Sequence, residues 1–181
     1  MKKIALLFSG KGSNFAHIVQ TLHQKELEVV VALTNRADAG GIEVAKRAHI
    51  PLEIVEASQF ESREDFDAEV VTRLQKYQPD LTVLAGFMRI LTPVFTDQVK
   101  AINLHPSLLP RHKGINAIVR SYEDSYPSGG VSVHFVTSEL DGGEIILQKE
   151  VCKEGLDLEK YDEKIRAVEK EALVEAIRKV M

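Results

Sequence analysis

Short runs of Val, Ile and Leu alternate with amphipathic stretches over the first two-thirds of the chain, and that alternation leaves few folds open. The runs are Ile4–Phe8, Val29–Thr34, Leu52–Val55, Leu81–Ala85 and Ala101–Leu104. Apolar runs this short read as strands buried on both faces of a parallel sheet. Between them lie Asn14–Gln24, Gly41–Ala48 and Arg63–Tyr77, each with helical spacing. Pro51 and Pro79 follow the second and third, where a helix must stop. Right-handed crossovers then predict an α/β fold, an open, mostly parallel twisted sheet with helices on both faces. After Gly114 the pattern changes. Ile115–Asp124 reads as a short helix, and Gly130–Val136 with Glu144–Val151 as an antiparallel hairpin added to the sheet. Asp157–Met181 reads as a long terminal helix with Leu158, Tyr161, Ile165, Val168, Ala172, Leu173 and Ile177 facing the core.

A chain of 181 residues without repeats or linker-like segments is expected to be one domain, 1–181. A net charge of −4 argues against the broad basic face that nucleic-acid binding requires. Cys152 is the only cysteine, so neither an intrachain disulfide nor a cysteine zinc cluster is available. The apolar stretch behind Met1-Lys2-Lys3 ends after five residues at Ser9-Gly10, too short for an export signal or a membrane span. The expected compartment is the cytoplasm, with no membrane partner.

Ser9-Gly10-Lys11-Gly12-Ser13-Asn14 stands where the first strand hands over to the first helix. Open α/β sheets bind ligands at this edge, and backbone N–H groups with the helix dipole favour an anion, most often a phosphate. A dinucleotide fingerprint would need Gly or Ala where Phe15 stands, and an acid where Thr34-Asn35-Arg36 stands. The Gly-Lys-Ser/Thr run of a nucleotide-triphosphate loop is absent as well. The loop therefore suggests a phosphate on a small molecule, although glycine turns also serve simply to reverse a chain.

Asn103-Leu104-His105-Pro106 ends the fifth strand, and residues two apart on a strand share a face. An amide beside an imidazole suits acyl transfer, because the amide steadies oxyanion charge and the imidazole moves protons near neutral pH. The polar loop Thr137–Gly143 is long for a plain hairpin, and its Asp141 could reach that imidazole. A carboxylate there would favour the charged ring. Asp-Gly is equally a common turn dipeptide. His134 reads as a structural strand histidine, and His17, His23, His49 and His112 as surface or helix residues without partners. No histidine pair has metal-binding spacing.

Taken together, these blocks resemble the folate-dependent phosphoribosylglycinamide formyltransferases. The resemblance runs in order over about residues 4–150. It rests on Ser9–Asn14, Ser62-Arg63-Glu64, Ala85–Leu91, Asn103–Pro110, Ser132–Val136 and Leu140–Gly143. It implies a Rossmann-like formyltransferase fold, with a phosphate-binding half at about 1–100 and a folate and catalytic half at about 80–181. It also implies transfer of the formyl group of 10-formyltetrahydrofolate, as co-substrate and without a metal, to the glycinamide amine in purine synthesis. By position, Gly12, Ser13 and Asn14 would hold the substrate phosphate, with Glu169 near the ribonucleotide. Arg63, Met88, Arg89, Ile90, Leu91 and Asn103 would contact the folate. Asn103, His105 and Asp141 would be catalytic. Partners would be small molecules only, and the protein a monomer or homodimer.

The chain departs from the family's pattern at Arg111–Ile118, which lacks the usual Pro-Gly and the following histidine-bearing stretch, and again at Tyr126–Gly130. It also stops right after its last helix. The alternatives within the fold are a 10-formyltetrahydrofolate hydrolase or another formyltransferase. A binding protein without turnover is the alternative from another class.

Overall fold

Parallel strands and their crossover helices make up the first of two compact units, Met1–Asn103. The computed structural model describes residues 1–181. In chain order the first unit contains β1 (Lys2–Phe8), α1 (Ser13–Leu22), β2 (Leu27–Thr34), α2 (Gly41–Arg47) and β3 (Leu52–Ile54). A short 3-10 turn at Ala57–Gln59 leads into α3 (Arg63–Gln75), β4 (Leu81–Leu84), the one-turn α4 (Pro93–Thr96) and β5 (Ala101–His105). The strands predicted from the apolar runs all form, within a few residues of their expected ends. β1 pairs in parallel with β2 and β4, and β4 with β5, with Leu84 abreast of Asn103. Ile4 to Phe8 and all of β4 are buried, which is why these strands are apolar throughout rather than alternating.

Helix α1 turns Phe15, Ile18 and Leu22 inward, and Phe15 stacks on Phe8 with ring centroids 5.2 Å apart. Helix α3 begins where the Ser62 side chain accepts the Asp65 N–H at 3.0 Å, one of the amides that a helix start leaves without a partner.

The second unit, Leu104–Met181, takes the end of β5 and continues through α5 (Ala117–Glu123), β6 (Ser128–Phe135), β7 (Ile145–Cys152) and α6 (Leu158–Val180). Strands β6 and β7 form the expected antiparallel hairpin, with a register shift between Val133 and His134. The strand order of the whole mostly parallel sheet is β3-β2-β1-β4-β5-β6-β7. Helix α6 packs on the hairpin. Tyr161, Ile165, Ala172, Leu173 and Ile177 are buried as expected. Two expected core positions differ. Leu158, the first helical residue, is 37% exposed, and Val168 is only half-buried. The buried stripe runs 161, 165, 169 at four-residue steps, which puts Glu169 in the seam and turns Val168 about 100° aside.

Candidate active site

In the first unit the chain leaves β1 at Phe8 and enters α1 through Gly12, which caps the helix at φ 78°. A side chain at Gly12 would put its Cβ 2.6 Å from the Gly41 Cα, so both the turn and the close approach require glycine. No side chain caps this helix start. Its leading amides, with Ser13 exposed and Asn14 half-buried beside them, give the loop the donor chemistry expected for an anion. A cavity of about 180 Å³ adjoins the loop, lined by Ser9, Lys11, Arg36, Asp38 and Gly40 among others.

Ser9 ties this loop to the segment after β4. Its N–H donates to the Gly86 carbonyl at 2.9 Å, and its hydroxyl accepts the Met88 N–H at 2.8 Å while donating to Asn35 Oδ1 at 2.6 Å. Met88 is 73% exposed and Ile90 52%, whereas Leu91 is buried and the Arg89 guanidinium lies 4.7 Å over the Phe66 ring. Asp67 closes the segment from below, with one oxygen accepting both the N–H and the hydroxyl of Thr92 at 2.7 Å. Arg63 is exposed in the first turn of α3. Asn103 is half-buried near the end of β5.

The second unit assembles a titratable cluster. His105 is buried at the end of β5, and its Nε2 lies 2.8 Å from the His112 carbonyl oxygen. A carbonyl only accepts, so Nε2 carries its hydrogen whether the ring is neutral or charged. The other nitrogen, Nδ1, faces Asp141 Oδ2 at 3.5 Å.

The Asp141 side chain is buried, its backbone at φ 51° in the Thr137–Gly143 loop, and it accepts the Gly114 N–H at 2.9 Å. Its second oxygen lies 3.7 Å from His134 Nε2, while His134 Nδ1 donates to the Phe135 carbonyl at 2.9 Å. Burial pushes the Asp141 carboxyl up. The His134 ring, the Gly114 N–H and the His105 charge together outweigh burial and hold it below the ordinary range. Asp141 is thus an anion between two imidazoles, each oriented by a backbone carbonyl. His134 is the satisfied strand histidine expected, with Asp141 as its second partner. The register shift beside it is the kind of irregularity that re-aims a strand side chain.

Two other histidines depart from the sequence reading. His23 Nδ1 accepts the Val29 N–H at 3.0 Å. His112 pairs through Nε2 with Asp124 at 2.6 Å, and Asp124 in turn holds the Lys153 ammonium at 2.7 Å. Both pairs join residues whose approach depends on how loops and strands meet, which spacing does not reveal. Glu169 is buried within α6. No three His, Cys, Asp or Glu side chains are arranged to hold a metal ion.

A strand-end imidazole facing a buried carboxylate has the chemistry to hold and pass a proton, and comparison with known proteins identifies the family. Residues 2–177 match the Formyl transferase family. The chain is 43% identical to the phosphoribosylglycinamide formyltransferase of Escherichia coli over 152 residues, 82% of this chain and 72% of that protein. The crystal structure of phosphoribosylglycinamide formyltransferase from Campylobacter jejuni superposes with a TM-score of 0.97 at 47% identity, covering 99% of this chain and 97% of that one. Glycinamide ribonucleotide transformylase 1 from Symbiobacterium toebii follows at a TM-score of 0.93 and 37% identity, covering 98% and 86%. The chain belongs to the phosphoribosylglycinamide formyltransferase branch of the formyl transferase family.

Proposed function

We propose that this protein transfers the formyl group of 10-formyltetrahydrofolate to the amine of 5′-phosphoribosylglycinamide, a step of purine synthesis. The reading rests on one observation above the others, the buried Asp141 carboxylate facing Nδ1 of His105 at the end of an Asn-x-His strand. Family membership supplies the substrates. Gly12, Ser13 and Asn14 receive the phosphate, with Glu169 assigned to the ribonucleotide. Arg63, the Met88–Leu91 segment with Arg89 and Ile90, and Asn103 receive the folate.

In the reaction the amine lone pair attacks the formyl carbon, and the carbonyl electrons move onto oxygen. The Asn103 amide donates to that oxyanion, a contribution typically worth about 3–4 kcal/mol of barrier. The attacking nitrogen gives up a proton, and the folate nitrogen gains one as its bond to carbon breaks. His105 carries this proton traffic on Nδ1, and Asp141 stabilises the charged ring. Holding both substrates together supplies much of the remaining acceleration.

The test incubates the purified protein with 10-formyltetrahydrofolate, with and without the ribonucleotide, while folate absorbance is followed. Loss of the formyl group that depends on the amine supports transfer. Loss without the amine would instead identify a hydrolase.

A further inference from the structure

We propose that His112, Asp124 and Lys153 form a positioning device for His105, setting which of its nitrogens exchanges protons. The inference rests on the role of His105 given above, and its pivot, His112, lies in a stretch where the chain departs from its family's pattern. His112 contacts its surroundings in two directions. Its carbonyl receives the His105 Nε2–H at 2.8 Å, and its ring Nε2 is held by Asp124 Oδ2 at 2.6 Å. Its backbone lies at φ 55°, in the left-handed region that a non-glycine residue adopts only where its surroundings hold it. The aim of a carbonyl follows the dihedrals of its own residue, so anchoring the ring fixes the acceptor presented to His105.

The anchor is built to stay in place. Asp124 also accepts the Lys153 ammonium at 2.7 Å and the Tyr126 N–H at 2.9 Å. Lys153 further donates to the Ser121 carbonyl at 2.7 Å. The Asp124 and Lys153 side chains are largely buried, and hydrogen bonds between charged groups are stronger than neutral ones. The Arg111 guanidinium stacks 4.0 Å over Tyr126 and covers the same turn. Without this anchor the His112 carbonyl could turn away. Nε2 would then lose its obligatory acceptor, and neutral His105 would divide between two tautomers, one of which places a hydrogen on Nδ1 and leaves that nitrogen unable to accept a proton.

Two readouts on the full-length enzyme test this. One is the split between kcat and the two KM values. The other is the nitrogen-15 NMR signature of the His105 ring, which reports its tautomer whether or not the enzyme turns over. His112→Ala is expected to lower kcat about tenfold or more, with both KM values changed by less than about twofold, since general acid–base help is worth roughly a hundredfold or more when intact. Its neutral His105 should lose the uniform Nε2–H form. His112→Gln, whose amide can still donate to Asp124, should restore most of both.

Should His112→Ala fail to fold, Asp124→Asn carries the same test, with a smaller loss in both readouts. A His105 ring that keeps Nε2–H in these variants would overturn the device while leaving the assignment of His105 intact. So would a His112→Gln variant as impaired as His112→Ala. The proposed function fails separately, if His105→Ala itself turns over normally.

Discussion

Each unit buries an aspartate that accepts a backbone N–H, and the two serve different ends. Asp67 in the first unit spends its oxygen on Thr92 alone, taking the N–H and the hydroxyl at 2.7 Å each. Asp141 in the second accepts one backbone N–H and turns toward two imidazoles. Burial and a hydrogen bond are common to both, so neither marks a functional site. What distinguishes Asp141 is that it lies between two imidazoles as well as accepting a backbone N–H. The units differ in the same way as wholes. The first presents a glycine loop at an uncapped helix start and exposed apolar tips, whereas the second presents a cluster of histidines around a buried carboxylate.

The contrast can be broken most forcefully at Asp67. Asp67→Ala should destabilise the protein by about 1–3 kcal/mol, since it leaves two buried donors of Thr92 without an acceptor. Urea unfolding measures the loss, and the surviving folded enzyme should keep its kcat. A collapse of kcat in the folded variant would give Asp67 a chemical role and erase the distinction.

Gly12→Ala sharpens the contrast from the other side. The left-handed turn and the approach to Gly41 cost roughly 1–2 kcal/mol for any side chain, so the ribonucleotide KM should rise about tenfold. The folate KM and kcat should move much less. Equal changes in both KM values would show that the loop serves the fold rather than one substrate.

The smallest effect concerns acid. Burial pushes the Asp124 carboxyl up, but hydrogen bonds from Lys153, His112 and the Tyr126 N–H prevail and lower it to about 2. A carboxyl depressed in the folded state adds stability that is complete above its unfolded value, near 4. That stability is lost as the pH falls through about 2. The stability gap between the wild type and Asp124→Asn should therefore be widest near neutral pH and shrink as the pH drops from about 4 to about 2. A gap unchanged over that range would remove the ionised pair from the account.

Much of this was legible in the sequence because it depends on local order. The apolar runs became buried parallel strands, and the amphipathic stretches between them became the helices α1, α2 and α3. Asn103 and His105 could be paired because strand alternation is local. Asp141 was named by loop length and residue type, yet its distance from His105 follows from how a hairpin loop folds back, which no spacing encodes. That Asp141 is His134's partner was not legible, because a register shift governs where the ring points. His112 was missed entirely: its partner Asp124 stands 12 positions away, and the Lys153 that holds Asp124 a further 29 on, in segments without periodicity.

The central claim is that the Asp141–His105 pair carries the proton chemistry of formyl transfer. Asp141→Asn keeps the shape of the side chain and removes its charge, so steady-state kinetics of that variant tests the claim most directly. The account expects kcat to fall about a hundredfold or more while both KM values stay within a few-fold of the wild type. A folded Asp141→Asn enzyme turning over at close to the wild-type rate would contradict it.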